Sequence, residues 1–157
     1  MKKLALIWIL ALSTNLFAQH KMPNIALKNL KGEIVNSNLD FQKTYNTSFF
    51  WATWCAPCVQ ELDAISDVYV DWKSKLNIEI IAVSVDDART EKRVKPLVNG
   101  KGWEYTVLLD TNQELKRSLS IANVPYIIVV KNNEIVHVQN GHSPGGEAEF
   151  FELLKGL

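Results

Sequence analysis

Only two cysteines occur among 157 residues, and both lie in Trp54-Cys55-Ala56-Pro57-Cys58. A disulfide closed across two residues removes little chain entropy, because that stabilisation grows with loop length, so the pair reads as chemical rather than as a structural staple. Strand-like residues precede the motif and helix-like residues follow it, which puts the cysteines at a strand-to-helix turn. Free backbone N–H groups and the positive end of the helix dipole favour a thiolate there. Cys55, the first and more exposed of the two, reads as the nucleophile. Cys58, one turn into the helix, reads as the resolving thiol. Such a dithiol works without a cofactor.

The elements that must hold this pair follow from hydrophobic periodicity. Asn24 to Leu30 and Glu33 to Asn38, parted by Lys31-Gly32, predict a short hairpin. Ser48 to Thr53 is the first buried strand. After Cys58, the positions Leu62, Ile65, Tyr69, Trp72 and Leu76 recur at spacings of three and four, the apolar face of a long helix. Ile78 to Val85 is almost wholly apolar and β-branched, as in a central strand covered on both faces. Arg89 to Asn99 is expected to be helical despite Pro96, Glu104 to Leu109 a strand, and Asn112 to Leu119 a short helix. Tyr126 to Val130 and Glu134 to Gln139 predict a hairpin turning at Asn132-Asn133, and Glu147 to Lys155 a closing helix. The alternation is that of an α/β protein. Trp103, Tyr69, Trp72 and Trp51 are expected to pack in or near the core, with Trp54 on the rim of the dithiol site. The charged residues from Asp86 to Lys95 are expected to form a solvated helix.

The N-terminus addresses location. Met1-Lys2-Lys3 is basic, Leu4 to Leu12 is apolar, and Leu16-Phe17-Ala18 offers a small residue before a cleavage point, the pattern of a secretory signal peptide over residues 1–18. The apolar run is much shorter than the roughly 20 residues of a spanning helix, which disfavours an uncleaved anchor. No cysteine follows that run, so lipid attachment there is excluded. The predicted domain is residues 19–157, in an exported, periplasmic protein. With 17 basic and 17 acidic residues, the balance offers nothing to nucleic acid.

Phe50-Trp51-Ala52-Thr53-Trp54-Cys55-Ala56-Pro57-Cys58, with Val124-Pro125 opening a later apolar strand, resembles the thioredoxin fold. The N-terminal hairpin, the export signal and the Ile81-Ala82-Val83-Ser84-Val85-Asp86 strand, with an extra helix and strand before the proline, resemble the TlpA/ResA type. The resemblance implies a central mixed sheet flanked by helices, with an N-terminal β-hairpin and a helix-strand insertion. It further implies an exported thiol-disulfide reductase of protein disulfides, supplied by a membrane-embedded electron donor, with apocytochrome c among the clients of the family. It makes Pro125 cis and turns it toward the cysteines, with the Val124 backbone offered to an extended substrate segment. Thioredoxins proper carry a buried aspartate where this chain has Phe49. In the TlpA/ResA type a glutamate three residues after the second cysteine takes that part, and Glu61 stands there. Two departures concern substrate fit: Asp63 replaces a common proline and adds an acid near the site, and Tyr126 follows Pro125 where a small residue is usual.

A disulfide oxidase would run the same exchange in reverse, starting from the disulfide form, and two further rival readings come from other classes. A copper or other metal carrier of this fold would use both cysteines and a histidine, and Cys55-x-x-Cys58 with His137 and His142 is superficially similar to a Cys2His2 zinc site. The long separation between the two pairs opposes a compact finger. His137 falls in a hairpin strand, His142 in a loop and His20 beside the cleavage point, all ordinary surface positions. A binding module that has lost catalysis would not need both cysteines at a helix start.

Overall fold

The computed structural model describes residues 21–38, 43–141 and 144–157. The expected signal segment, His20 and His142 lie outside the described residues. The chain first forms a hairpin of Ala26–Asn29 (β1) and Ile34–Asn36 (β2), shorter at both ends than the sequence predicts. Gly32 turns it at φ 85°, where a side chain would be strained. Next come Tyr45–Trp51 (β3), Ala56–Leu76 (α1) and Ile78–Ser84 (β4). Every residue of both strands is buried, as in central strands covered on both faces, and this includes the polar Asn46, Thr47, Ser48 and Glu79.

The expected helix from Arg89 is corrected: a 3-10 turn at Glu91–Arg93 leads into Val94–Lys101 (α2). Asp87 causes the delay, because its carboxylate accepts from the Arg89 backbone and its carbonyl accepts from Thr90 and Glu91, closing a tight turn first. Pro96 then falls in the first turn of α2, where no intrahelical donor is needed. Thr106–Leu109 (β5), Glu114–Ser118 (α3), Tyr126–Lys131 (β6), Glu134–Asn140 (β7) and Glu147–Gly156 (α4) complete the chain. The start of α3 is set by buried Asp110, whose carboxylate accepts from the N–H groups of Leu115 and Lys116. Asn132 and Asn133, both at positive φ, make the β6–β7 turn as predicted.

Seven strands join in one mixed sheet, in the order β2-β1-β5-β4-β3-β6-β7. Strands β3, β4 and β5 run parallel, whereas β6 and β1 join that core antiparallel. The N-terminal hairpin and the α2–β5 insertion are both present, as the resemblance implied. Helix α1 buries Leu62, Ile65, Tyr69 and Trp72, and Trp72 meets Phe150 and Phe151 of α4 at 6.1 and 5.5 Å between ring centroids. Tyr105 returns from the insertion to donate its hydroxyl to the Leu62 carbonyl at 2.6 Å. Among the described residues, no helix is long and apolar enough to cross a membrane.

Candidate active site

The loop between β3 and α1 is held before chemistry begins. The Trp51 carbonyl accepts from Val85 N–H at 2.8 Å, locking the end of β3 to the end of β4, and Cys55 N–H then closes a turn onto the Ala52 carbonyl at 3.0 Å. Cys55 is the N-cap of α1, with Pro57 in the first turn, where its missing N–H is harmless. The two cysteines are joined as a disulfide with Cα atoms 5.3 Å apart. Cys55 Sγ also accepts from Cys58 N–H at 3.3 Å, so the helix terminus directs a donor at the first sulfur. Cys58 is the more enclosed, at 1% exposure against 6% for Cys55, and Trp54 stands out on the rim at 59%.

Glu61 sits one turn beyond Cys58 on α1 and is 9% exposed, so it is not an ordinary solvated helix residue. Burial, reinforced by the negative charge of Glu147 at the start of α4, raises its pKa from 4.5 to about 7. Phe49, in the place of the thioredoxin aspartate, lies edge-on to Phe150 at 6.0 Å in an aromatic cluster. Asp63, expected as a further acid near the site, is instead engaged elsewhere. Its carboxylate accepts from Trp103 Nε1 at 2.9 Å and from Lys101 Nζ at 2.5 Å, tying α1 to the insertion.

Val124-Pro125 is a cis peptide. Phe50 pairs with Tyr126, so the residue before Tyr126 lies at the end of the sheet where β3 hands the chain to Cys55. The Pro125 carbonyl is taken by Gly141 N–H at 3.0 Å, and Val124 is half-buried. Tyr126 belongs to β6 and also pairs with Asn140. His137 pairs with Val129, three residues further along β6 and so about 10 Å from that end. Among the described residues, no group of three His, Cys, Asp or Glu side chains is placed to share a metal ion.

Sequence reasoning missed Asp86. Rather than starting a solvated helix, it is 1% exposed and accepts from Thr53 N–H at 2.8 Å, Thr53 Oγ1–H at 2.6 Å and Ser84 Oγ–H at 2.9 Å. Its place at the carboxyl end of a parallel strand, where α/β proteins gather functional groups, was the available signal.

A mixed sheet whose strand β3 runs into a Cys-x-x-Cys helix, with a cis-proline opening the neighbouring antiparallel strand, defines a thioredoxin-like protein carrying a dithiol site. The chain belongs to the AhpC/TSA family, which matches residues 18–139. A protein of Oceanobacillus iheyensis named thiol-disulfide oxidoreductase ResA is 32% identical over 123 residues, covering 76% of this chain and 62% of its own length. The chain thus spans about three fifths of such relatives. An uncharacterised Haemophilus influenzae protein is 32% identical over 130 residues, covering 80% of this chain and 81% of the relative. Among solved structures, an uncharacterised thioredoxin-like protein of Porphyromonas gingivalis superimposes with a TM-score of 0.77 at 40% identity, covering 87% of this chain and 90% of the other. A putative DsbE of Chlorobium tepidum, at 23% identity, shares the fold with a TM-score of 0.74, covering 87% and 95%.

Proposed function

We propose that this chain is an exported thiol-disulfide oxidoreductase that reduces protein disulfides. The observation that carries the thiol-disulfide chemistry is the placement of Cys55 as the N-cap of α1, with its sulfur accepting the Cys58 N–H, while the reducing direction rests on the TlpA/ResA resemblance. That geometry stabilises a Cys55 thiolate and leaves Cys58 enclosed as the second thiol.

In the reduced protein, the Cys55 thiolate attacks one sulfur of a substrate disulfide; a mixed disulfide forms and the other substrate sulfur leaves as a thiolate. Glu61 takes the Cys58 proton. Cys58 then attacks Cys55 Sγ, the second substrate sulfur leaves, and the chain reaches the disulfide form described above. Two electrons pass to the substrate. Val124 presents its backbone to the extended substrate segment and Trp54 covers the rim.

The basic, apolar and small-residue pattern of residues 1–18 supports export into an oxidising compartment, where a membrane-embedded donor must return the two electrons. The TlpA/ResA resemblance supports apocytochrome c among the clients. Replacing Cys58 with Ala tests the assignment. C58A should accumulate a mixed disulfide with a model protein disulfide such as that of insulin, and C55A should not. Accumulation in C55A alone would reverse the two roles, and accumulation in neither would refute the activity.

A further inference from the structure

The turn that delivers Cys55 to its helix leaves the covalent chemistry to the cysteines, yet a buried acid two residues past the end of β4 grips it. Thr53 and Trp54 are the middle residues of the turn closed by Cys55 N–H and the Ala52 carbonyl. The amide and the hydroxyl of Thr53 donate to the two oxygens of Asp86, at 2.8 and 2.6 Å. Ser84 donates to the same carboxylate and accepts the Asp86 N–H at 3.2 Å, so the acid is itself fixed. Asp86 is 1% exposed, and its three donors offset the cost of burying the carboxylate and fix its orientation. What it controls is the path from Thr53 through exposed Trp54 to Cys55.

From this we infer that Asp86 is a positioning residue for the dithiol. Acting through Thr53, it sets the turn so that Cys55 sulfur meets the Cys58 N–H and Trp54 is held on the rim. The same clamp joins the site to β4, the central parallel strand. When the disulfide opens, the clamp keeps Cys55 at the helix terminus while Cys58 stays within the core. Thr53→Val should loosen this arrangement by removing one donor, and Thr53→Ser should preserve it. Asp86→Asn should disturb it more, because the amide nitrogen would face a donor.

The inference rests on the proposed thiol-disulfide activity, but its test reads the sulfur directly. The reduced full chain is alkylated with iodoacetamide across pH, following the rate at Cys55 by peptide mass, beside the rate of insulin reduction. In T53V and D86N the Cys55 midpoint should move to higher pH, slowing alkylation at pH values below the midpoint by roughly tenfold per unit moved, while T53S stays like the parent. Should D86N fail to fold, T53V against T53S decides. An unchanged Cys55 profile in T53V, even with lowered thermal stability, would reduce the clamp to ordinary packing and overturn the inference. A lower midpoint in D86N with T53V unchanged would assign the acid a charge effect instead, and also overturn it. Intact alkylation with no insulin reduction in the parent would count against the activity alone.

Discussion

Burial brings the Glu61 carboxyl into the neutral range, where the proposed mechanism has it take the Cys58 proton. Its pKa of about 7, against an ordinary 4.5, means that the folded chain binds this proton more tightly than the unfolded chain. Its contribution to stability is therefore complete below about pH 4.5 and is lost as pH rises through about 7. Glu61→Gln should flatten the pH dependence of the denaturant midpoint across that window and stabilise the protein above it. The same change should slow resolution of the mixed disulfide by roughly 100-fold, the low end for a general base, with the first attack by Cys55 unaffected. Stopped-flow fluorescence separates the two steps, and equal slowing of both would argue against a role at Cys58. Glu147→Gln should move the pH midpoint of resolution downward, since it removes the smaller of the two effects that raise Glu61. The cysteine pair was legible from residue type and spacing, whereas Glu61 was singled out only by the family resemblance. Asp86 was signalled only by its place just past a parallel strand, which does not tell whether the acid faces water or turns inward onto Thr53.

At the scale of elements, long segments were legible and their ends were not. β4 and α1 follow from residues that offer a single periodicity, and the observed Ile78–Ser84 and Ala56–Leu76 depart little from expectation. The start of α2 and the start of α3 are set by local side-chain bonds of Asp87 and Asp110, which compete with the helix and leave no periodic trace. Asp63 is the clearest case of context deciding a role. As a helix acid it could have served the site, but the insertion brings Trp103 and Lys101 onto it. Asp63→Ala should cost about 1–2 kcal/mol, the range for hydrogen bonds to a charged group that is partly exposed, read from urea unfolding. Turnover should change little. A large loss of activity with normal stability would return Asp63 to the site.

Across the whole molecule, the parallel trio β3, β4 and β5 ends where the chain can afford irregular backbone, and the Cys55 turn, Asp86 and Pro125 gather at that end. The cis Val124-Pro125 bond was beyond bottom-up reading, since nothing local in those residues demands it; only the family resemblance suggested it. The paired hairpins at the two sheet edges, β1–β2 and β6–β7, were legible from their turn residues, whereas the placement of β1 beside β5 depends on long-range pairing that no window of sequence contains. The proposed function requires of the assembled fold a dithiol that gives up electrons. The equilibrium reduction potential of the Cys55–Cys58 pair, measured in dithiol buffers through tryptophan fluorescence, tests this most directly. A value near or below about −230 mV is predicted and places the chain among reductants, whereas a value near −120 mV would make it an oxidant and contradict the account.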